Sequence, residues 1–574
     1  MIICNREPYD IRNHKFKNLV ETEWFDNNCK QALERKQKRF EIFVKDKNEE
    51  NWKAYTKAKS DLSYLINEKQ EAHANTVYNS LTSIKDKWKF MNTIRGSNRN
   101  SSNICAIKNS FGDVITNDLA MAEFFNYKFV NLGEYIGKPE KLPFVEHSKP
   151  EKTFSFHLVD ERTMFKLLKE LNPKKPTGPC TVPAWAIKDG KAIIIPHLTY
   201  VINECIKSNV FPDELKKANV TPVFKKDDPL EATNYRPISV TNAFSKIFEK
   251  VLHSQIYDYL LKNDVMNPLQ FGFRKGFSTH DALLYLTESI RYEIDKNKIV
   301  HCALLDLSKA FDSICHQKLL SKLSQAGFDN NAVKMIAHYL TNRYQRVNVN
   351  GVFSSWYKVK RGVPQGTVLG PLLFNLYVND LAAQIAIESN NTKIIQYADD
   401  CLLFNADINS SSAKDSLEKI LNNICIYFKQ HELNLNAKKS EYICFSKKCD
   451  PRVNLQEKLL IDNTEIKQSR ECKYLGIFLD QNLTFQTQVK RILQKMALGI
   501  KTIDTIRKQL PTKSLYILFQ SIVLSHLDYS ALFLSGVNSS LIVSLEKQMN
   551  WGLKRNFSDP VINHLHFYVN QKRS

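Results

Sequence analysis

Two apolar runs, far apart in the chain, each end on aspartate, and this pattern restricts the fold more than any other feature of the sequence. Cys302-Ala303-Leu304-Leu305 leads into Asp306; Ile394-Ile395-Gln396-Tyr397 leads through Ala398 into Asp399-Asp400, with Cys401-Leu402-Leu403-Phe404 running out again. Short apolar segments bounded by turn residues predict buried strands. Two such arms around a tight acidic turn predict a β-hairpin carrying two carboxylates at its tip. An unpaired buried carboxylate costs several kcal/mol, so strands that deliver three of them call for a cation. Mg²⁺ meets that need, because it is a hard ion that takes oxygen ligands and is commonly shared between carboxylates and substrate phosphates. An isolated Asp-Asp pair suits a solvated turn equally well; the third carboxylate and the segment between the two runs favour a site.

That segment is Arg361-Gly362-Val363-Pro364-Gln365-Gly366-Thr367-Val368-Leu369-Gly370-Pro371-Leu372-Leu373-Phe374. The chain has only 17 glycines in 574 residues, well under the usual ~7%, yet Gly362, Gly366 and Gly370 fall close together here. Glycine lets a backbone approach a ligand or a neighbouring strand, and Gln365 is held between a prolyl and a glycyl residue. A plain loop-to-helix connection is the competing reading.

Composition sets limits on partners. Lys and Arg number 81 against 60 Asp and Glu, a net charge of +21 with a pI near 9.2, which points first to a polyanion such as nucleic acid. The length fits three or four domains at about 100–200 residues each, and 43% hydrophobic with 25% charged residues excludes wholesale disorder. No uninterrupted apolar run approaches the ~18 residues of a membrane span, and Asn5-Arg6 follow Met1-Ile2-Ile3-Cys4 too soon for a secretory signal core. The expectation is an intracellular chain, nuclear or cytoplasmic, with no membrane partner. The 12 cysteines are scattered and read as reduced thiols. Cys444, Cys449 and Cys472 with His431 are a conceivable zinc set, weighed against buried small hydrophobes.

Along the chain, residues 5–99 read as long, partly solvated helices closed by a polar loop at 96–103, and a looser stretch runs to about Pro150. Pro173, Pro176 and Pro179 with Gly178 make a break, after which helical and strand-like segments alternate to about Phe404. Val347, Val349 and Val352 flank Asn350-Gly351, a favoured hairpin turn that Trp356-Tyr357-Lys358-Val359 can extend. Helical periodicity returns from about Phe485, and residues 451–574 carry 17 Lys and Arg against 9 Asp and Glu.

These residues resemble a known family. Leu305-Asp306-Leu307-Ser308-Lys309-Ala310-Phe311-Asp312, Gly362-Val363-Pro364-Gln365-Gly366 and Tyr397-Ala398-Asp399-Asp400 look like the palm motifs of reverse transcriptases. Asn234-Tyr235-Arg236-Pro237-Ile238-Ser239, Gln270-Phe271-Gly272-Phe273-Arg274, Leu369–Phe374 and Lys473-Tyr474-Leu475-Gly476 resemble, more narrowly, the non-LTR (LINE-type, jockey-like) retrotransposon polymerases. The likeness runs in unbroken order over roughly residues 160–550.

The resemblance implies an α/β (α+β) right-hand polymerase with fingers, palm and helical thumb, preceded by a helical N-terminal region. Residues 1–150 would be a basic connector, 151–450 fingers and palm, and 451–574 the primer-grip region and thumb. Asp306, Asp399 and Asp400 would bind two catalytic Mg²⁺ ions. Phe311 would lie under the sugar and exclude a 2′-hydroxyl, with a core aromatic as the alternative; Gln365 would touch the incoming nucleotide. Lys225 and Arg236 match finger positions that hold the triphosphate, although Lys225 also suits a solvated surface, and Lys439 would sit near the leaving pyrophosphate. The implied partners are an RNA template, a DNA primer and dNTPs. Residues 1–150 resemble the connector that follows an endonuclease in such elements, so that activity would be supplied elsewhere or lost. The implied reaction is RNA-directed DNA synthesis. An inactive nucleic-acid-binding remnant of a truncated element and a maturase-type polymerase are the alternatives.

Overall fold

The computed structural model describes residues 24–94, 103–133, 152–180, 182–388, 391–454, 456–507 and 510–557. The polar loop at 96–102, the stretch 134–150 and the tail from Ser558 lie outside the described residues. The chain forms two compact units, one spanning 101–484 and the other combining 1–100 with 485–574.

The larger unit is built on a six-stranded sheet of β1 (Ile299–Leu305), β2 (Thr392–Tyr397), β3 (Asp400–Asp407), β4 (Glu441–Phe445), β5 (Lys458–Ile461) and β6 (Thr464–Ser469). Their spatial order is β2-β3-β1-β4-β6-β5, all neighbours antiparallel except β4 and β6. The central strand β1 is buried along almost its whole length, because helices Thr279–Asp295 and Ser410–Gln430 pack against it, and this explains its unbroken apolar run. His301 in that strand is buried between Tyr442 Oη at 2.6 Å and Ser410 Oγ at 3.1 Å. Burial pulls its pKa down to about 4, so the ring is neutral at physiological pH.

A second sheet joins Tyr235–Thr241, Ala218–Phe224 and Arg343–Val349, with Val352–Phe353 and Tyr357–Val359 both pairing with the last. The expected hairpin is present: Asn350 and Gly351 both have positive φ, 51° and 94°, as a type I′ turn requires. Helix Asp118–Val130 covers one face, burying Met121, Phe125 and Phe129 with Val220, Tyr235, Val347 and Val349. The Asn126 amide donates to Ser354 Oγ and to the Ser355 carbonyl. The six-stranded sheet is called the palm sheet below and the second one the fingers sheet, after the parts that the sequence resemblance implies.

The compact units divide at 100/101 and 484/485, whereas the sequence places boundaries at 150 and 450. The physical reason is where sheets end: helix 118–130 is the cover of the fingers sheet, and the β5–β6 hairpin extends the palm sheet beyond residue 450.

In the other unit, helices Asn27–Lys45 and Glu49–Ser80 start at the side-chain caps Asp26 and Asn48 and meet through Phe40–Tyr55 and Phe43–Trp52 ring contacts. Helices Gln486–Ile506, Thr512–Phe519 and Ser539–Asn556 pack closely at glycines; a Cβ on Gly499 would lie 2.8 Å from the Ile522 carbonyl oxygen and one on Gly552 2.5 Å from Ile500 Cδ1. The helical stretch Thr512–Leu534, at 23 residues, is long and apolar enough by composition to cross a membrane. Gln520, Ser521, Ser525 and His526 interrupt it, so it is not the uninterrupted apolar run that a search of the sequence looks for. Leu515, Leu518, Phe519, Val523 and Phe533 of this stretch are buried within the protein.

The conceivable zinc set does not assemble. Cys444 lies 3.8 Å from His301 Nε2, Cys449 is exposed, and His431 stacks on Tyr427 at 3.9 Å.

Candidate active site

Strand register brings the carboxylates together. Cys401 on β3 pairs with Leu305 on β1, so the next positions, Asp400 and Asp306, stand level at the ends of adjacent strands. Tyr397 pairs with Asp400, which leaves Ala398-Asp399 as a two-residue turn. Ala398 takes φ 58°, a left-handed conformation that costs a non-glycine residue of order 1–3 kcal/mol. The segment Gln270–Arg274 holds it there. Gln270 Oε1 accepts the Ala398 N–H at 3.1 Å and the Gly272 N–H at 2.9 Å, while Phe271 N–H donates to the Gln396 carbonyl at 2.8 Å. Gly272 is required at this contact, because a Cβ would lie 2.3 Å from Ala398 N.

On the other side, Asn436 N–H donates to the Asp306 carbonyl at 2.8 Å and Ser440 Oγ accepts the Asp306 N–H at 3.3 Å. Lys439 belongs to that same turn, with its side chain exposed.

Electrostatics mark the cluster. Withdrawal from water raises the Asp399 carboxyl; Asp306 adds to the rise, and Arg236 and Lys225 oppose it. Withdrawal from water, then repulsion from Asp399 and Asp306, pushes Asp400 up to about 6, again opposed by Lys225 and Arg236. Five residues named from sequence thus act on one another electrostatically. The two cations come from the fingers sheet: Arg236 pairs opposite Val223, and Lys225 N–H bonds the Asn234 carbonyl at 2.9 Å. Among the described residues no three His, Cys, Asp or Glu side chains are drawn close enough to hold a metal ion as they stand. The donors are nonetheless all carboxylate oxygens, the set a hard ion such as Mg²⁺ takes, and their mutual repulsion is what a bound cation relieves.

Phe311 stacks on Phe374 at 4.6 Å and meets Phe273 edge-on at 6.0 Å. The Gly362–Gly370 loop is zipped onto the turn after Phe311: Val363 N–H donates to the Phe311 carbonyl at 2.9 Å and Gly362 N–H to that of Ile314 at 2.8 Å. Gln365 reaches Asp312 with its amide, and its carbonyl accepts the Ser239 N–H at 2.7 Å. The far end of the loop hangs on Glu249, a fully buried carboxylate that accepts the Val368 and Leu369 N–H groups and the Ser245 hydroxyl.

Sequence reasoning missed Gln270, Gly272, Glu249 and Asp312 as parts of this site. Gln270 and Gly272 fall in a segment recognised only as a likeness, and Glu249 sits in helix Ala243–Lys262, where in sequence it resembles any surface charge. Asp312 stood in the quoted palm motif, but only its neighbour Phe311 received a role. The Tyr474-Leu475-Gly476 turn closes a separate hairpin, Glu471–Tyr474 with Ile477–Asp480, with φ 43° at Leu475 and 90° at Gly476.

Residues 223–479 match the family described as reverse transcriptase (RNA-dependent DNA polymerase). The chain is 29% identical over 327 residues to the probable RNA-directed DNA polymerase from transposon BS of Drosophila melanogaster, covering 56% of this chain and 36% of that one. It is 28% identical over 304 residues to the probable RNA-directed DNA polymerase from transposon X-element of the same organism, covering 52% and 33%. With the RNA-directed DNA polymerase from mobile element jockey, also of D. melanogaster, identity is 26% over 402 residues, covering 68% and 43%. The chain therefore spans less than half the length of each of these relatives. Strand ladder and carboxylate turn both fall within residues 223–479, the part of the chain that resembles a reverse transcriptase.

Proposed function

We propose that this chain is an RNA-directed DNA polymerase of a non-LTR retrotransposon, extending a primer 3′-hydroxyl with dNTPs on an RNA template. The observation that carries this reading is the register that sets Asp306 level with Asp400, beside Asp399 and under the influence of Lys225 and Arg236.

Asp306, Asp399 and Asp400 would hold Mg²⁺. Bound as two ions, the metal supplies activation of the attacking oxygen and stabilisation of the leaving one. Arg236 and Lys225 offset charge on the triphosphate, where fixed cations act most strongly on developing phosphoryl charge. The Phe311 ring, fixed by Phe374, walls the sugar and excludes a 2′-hydroxyl. Gln365 meets the nucleotide, and Lys439 neutralises departing pyrophosphate. Catalysis of this kind rests on positioning and electrostatics without a covalent intermediate. Residues 451–574 serve as primer-grip region and helical thumb, whose lysines track the template-primer backbone, and residues 1–150 as the connector. The chain works in the nucleus or cytoplasm.

Primer extension on an RNA template with Mg²⁺ and dNTPs tests the reading, comparing the chain with an Asp399→Ala, Asp400→Ala double variant. Extension by the first alone is the expected result. No extension by either, with template-primer still bound, replaces it with an inactive binding remnant; a preference for NTPs replaces it with a different polymerase.

A further inference from the structure

The turn after Phe311 carries a carboxyl for which the proposed mechanism has no use. Asp312 Oδ2 accepts a hydrogen bond from Gln365 Nε2 at 2.8 Å. The main chains on either side are locked together: besides the two bonds from Gly362 and Val363, Arg361 Nη2 donates to the Ser313 carbonyl at 3.1 Å, and the His316 ring pairs with the Gly362 carbonyl at 2.8 Å. Asp312 is also pinned by two glycines. A Cβ on Gly362 would lie 2.7 Å from the Asp312 carbonyl oxygen, and one on Gly133 only 1.8 Å from it. Neither partner of the Asp312–Gln365 bond is therefore free to drift.

A primary amide has a donating edge and an accepting edge, and the partner that engages one decides which is left for a ligand. We infer that Asp312 is a positioning residue for the incoming nucleotide: by engaging Gln365 Nε2 it fixes which edge of the Gln365 amide is free to meet the substrate. The inference rests on the polymerase reading and deepens it by naming what sets the nucleotide contact.

The same geometry makes the setting reversible. Ionised Asp312 can only accept, which holds the amide with Nε2 towards it; protonated Asp312 gains an O–H that Gln365 Oε1 can accept, so the amide is no longer held to one edge. Desolvation pushes this carboxyl up to about 7, against the pull of the Gln365 bond and of Lys309. The other titratable and charged groups around it are His316 on its own segment, Lys128 near Lys309, and Arg361, Arg343 and Lys216, which line a small cavity together with Asp312 and Gln365.

Steady-state extension by the full chain, with dNTP varied at saturating template-primer, tests this with Gln365→Ala, Asp312→Ala, Asp312→Asn and the double alanine variant. Gln365→Ala and Asp312→Ala should each raise the dNTP KM about tenfold, the loss expected for one charge-assisted hydrogen bond, with kcat and template-primer affinity unchanged. The double variant should be no worse than Gln365→Ala, because Asp312 acts only through Gln365. Asp312→Asn, which is isosteric, should fold normally and abolish the change in KM around pH 7. Multiplying losses in the double variant, or a wild-type pH profile in Asp312→Asn, overturns the inference while leaving the polymerase reading intact. No extension by the unaltered chain refutes that reading and the inference with it.

Discussion

Replacing Gly272 by Ala tests whether the Gln270–Arg274 segment keeps the carboxylate turn in place. Gly272 does not adopt a positive φ, so the backbone itself tolerates alanine and the effect is one of space alone. The new Cβ would lie 2.3 Å from Ala398 N, 2.8 Å from Tyr397 C and 3.1 Å from Ala398 Cα, where ordinary contact begins at 3.4 Å. All three neighbours are backbone, so the turn must retreat by about 1 Å, and Asp399 is the next residue along. A misplacement of about 1 Å can cost roughly 100-fold in rate, or about 2.7 kcal/mol of barrier. Overpacking of this kind costs stability by about 1–3 kcal/mol, which a domain of this size survives. Single-turnover extension should therefore slow about 100-fold, with template-primer affinity within a few fold of wild type and a cooperative melting transition retained. A rate within about threefold of wild type would show that the turn keeps its geometry without this contact.

Other perturbations have defined outcomes. Glu249→Ala removes the acceptor for two loop N–H groups and the Ser245 hydroxyl; urea unfolding should show a loss of about 1.5–3 kcal/mol. Lys322→Met leaves the carboxylate of Asp380 in the palm interior without its ammonium partner, with a similar loss by the same measurement, and adding Asp380→Leu should recover most of it because the uncompensated charge is gone. Asp312, with its folded pKa raised, favours the folded state fully below about pH 4, and that contribution fades as pH rises through about 7; the stability of the wild-type chain relative to Asp312→Asn should therefore fall between pH 5 and pH 8 in paired urea titrations. Template-primer affinity should drop steeply between 50 and 200 mM salt, as counterion release requires; a flat salt response would assign the +21 net charge to another purpose.

The parts of the site legible in sequence are those that depend on neighbours along the chain. β1 ends on Asp306 and the Tyr397–Asp400 turn closes its hairpin because strand length and turn position follow from local pattern, and the Asn350-Gly351 turn was readable for the same reason. What holds the turn was not readable, since Gln270 and Ala398 are 128 residues apart and a hydrogen bond across that distance leaves no periodic trace. Burial of charge was hidden too: Lys322 and Glu249 look like solvent-facing charges on their helices until the opposite wall is in place. The compact units divide elsewhere than at 150 and 450, and a helix in sequence does not announce that it will cover a sheet made from residues 218–359.

Side chains on β1 alternate between the two faces of the palm sheet, and Asp306 stands one residue beyond its last rung. Gain or loss of a single residue between Ile299 and Leu305 would exchange the two faces, taking His301 from Tyr442 and Ser410 and carrying Asp306 out of line with Asp400. The strand is therefore a ruler as well as a scaffold. The number of residues from His301 to Asp306 is therefore as much a part of the site as the carboxylates themselves.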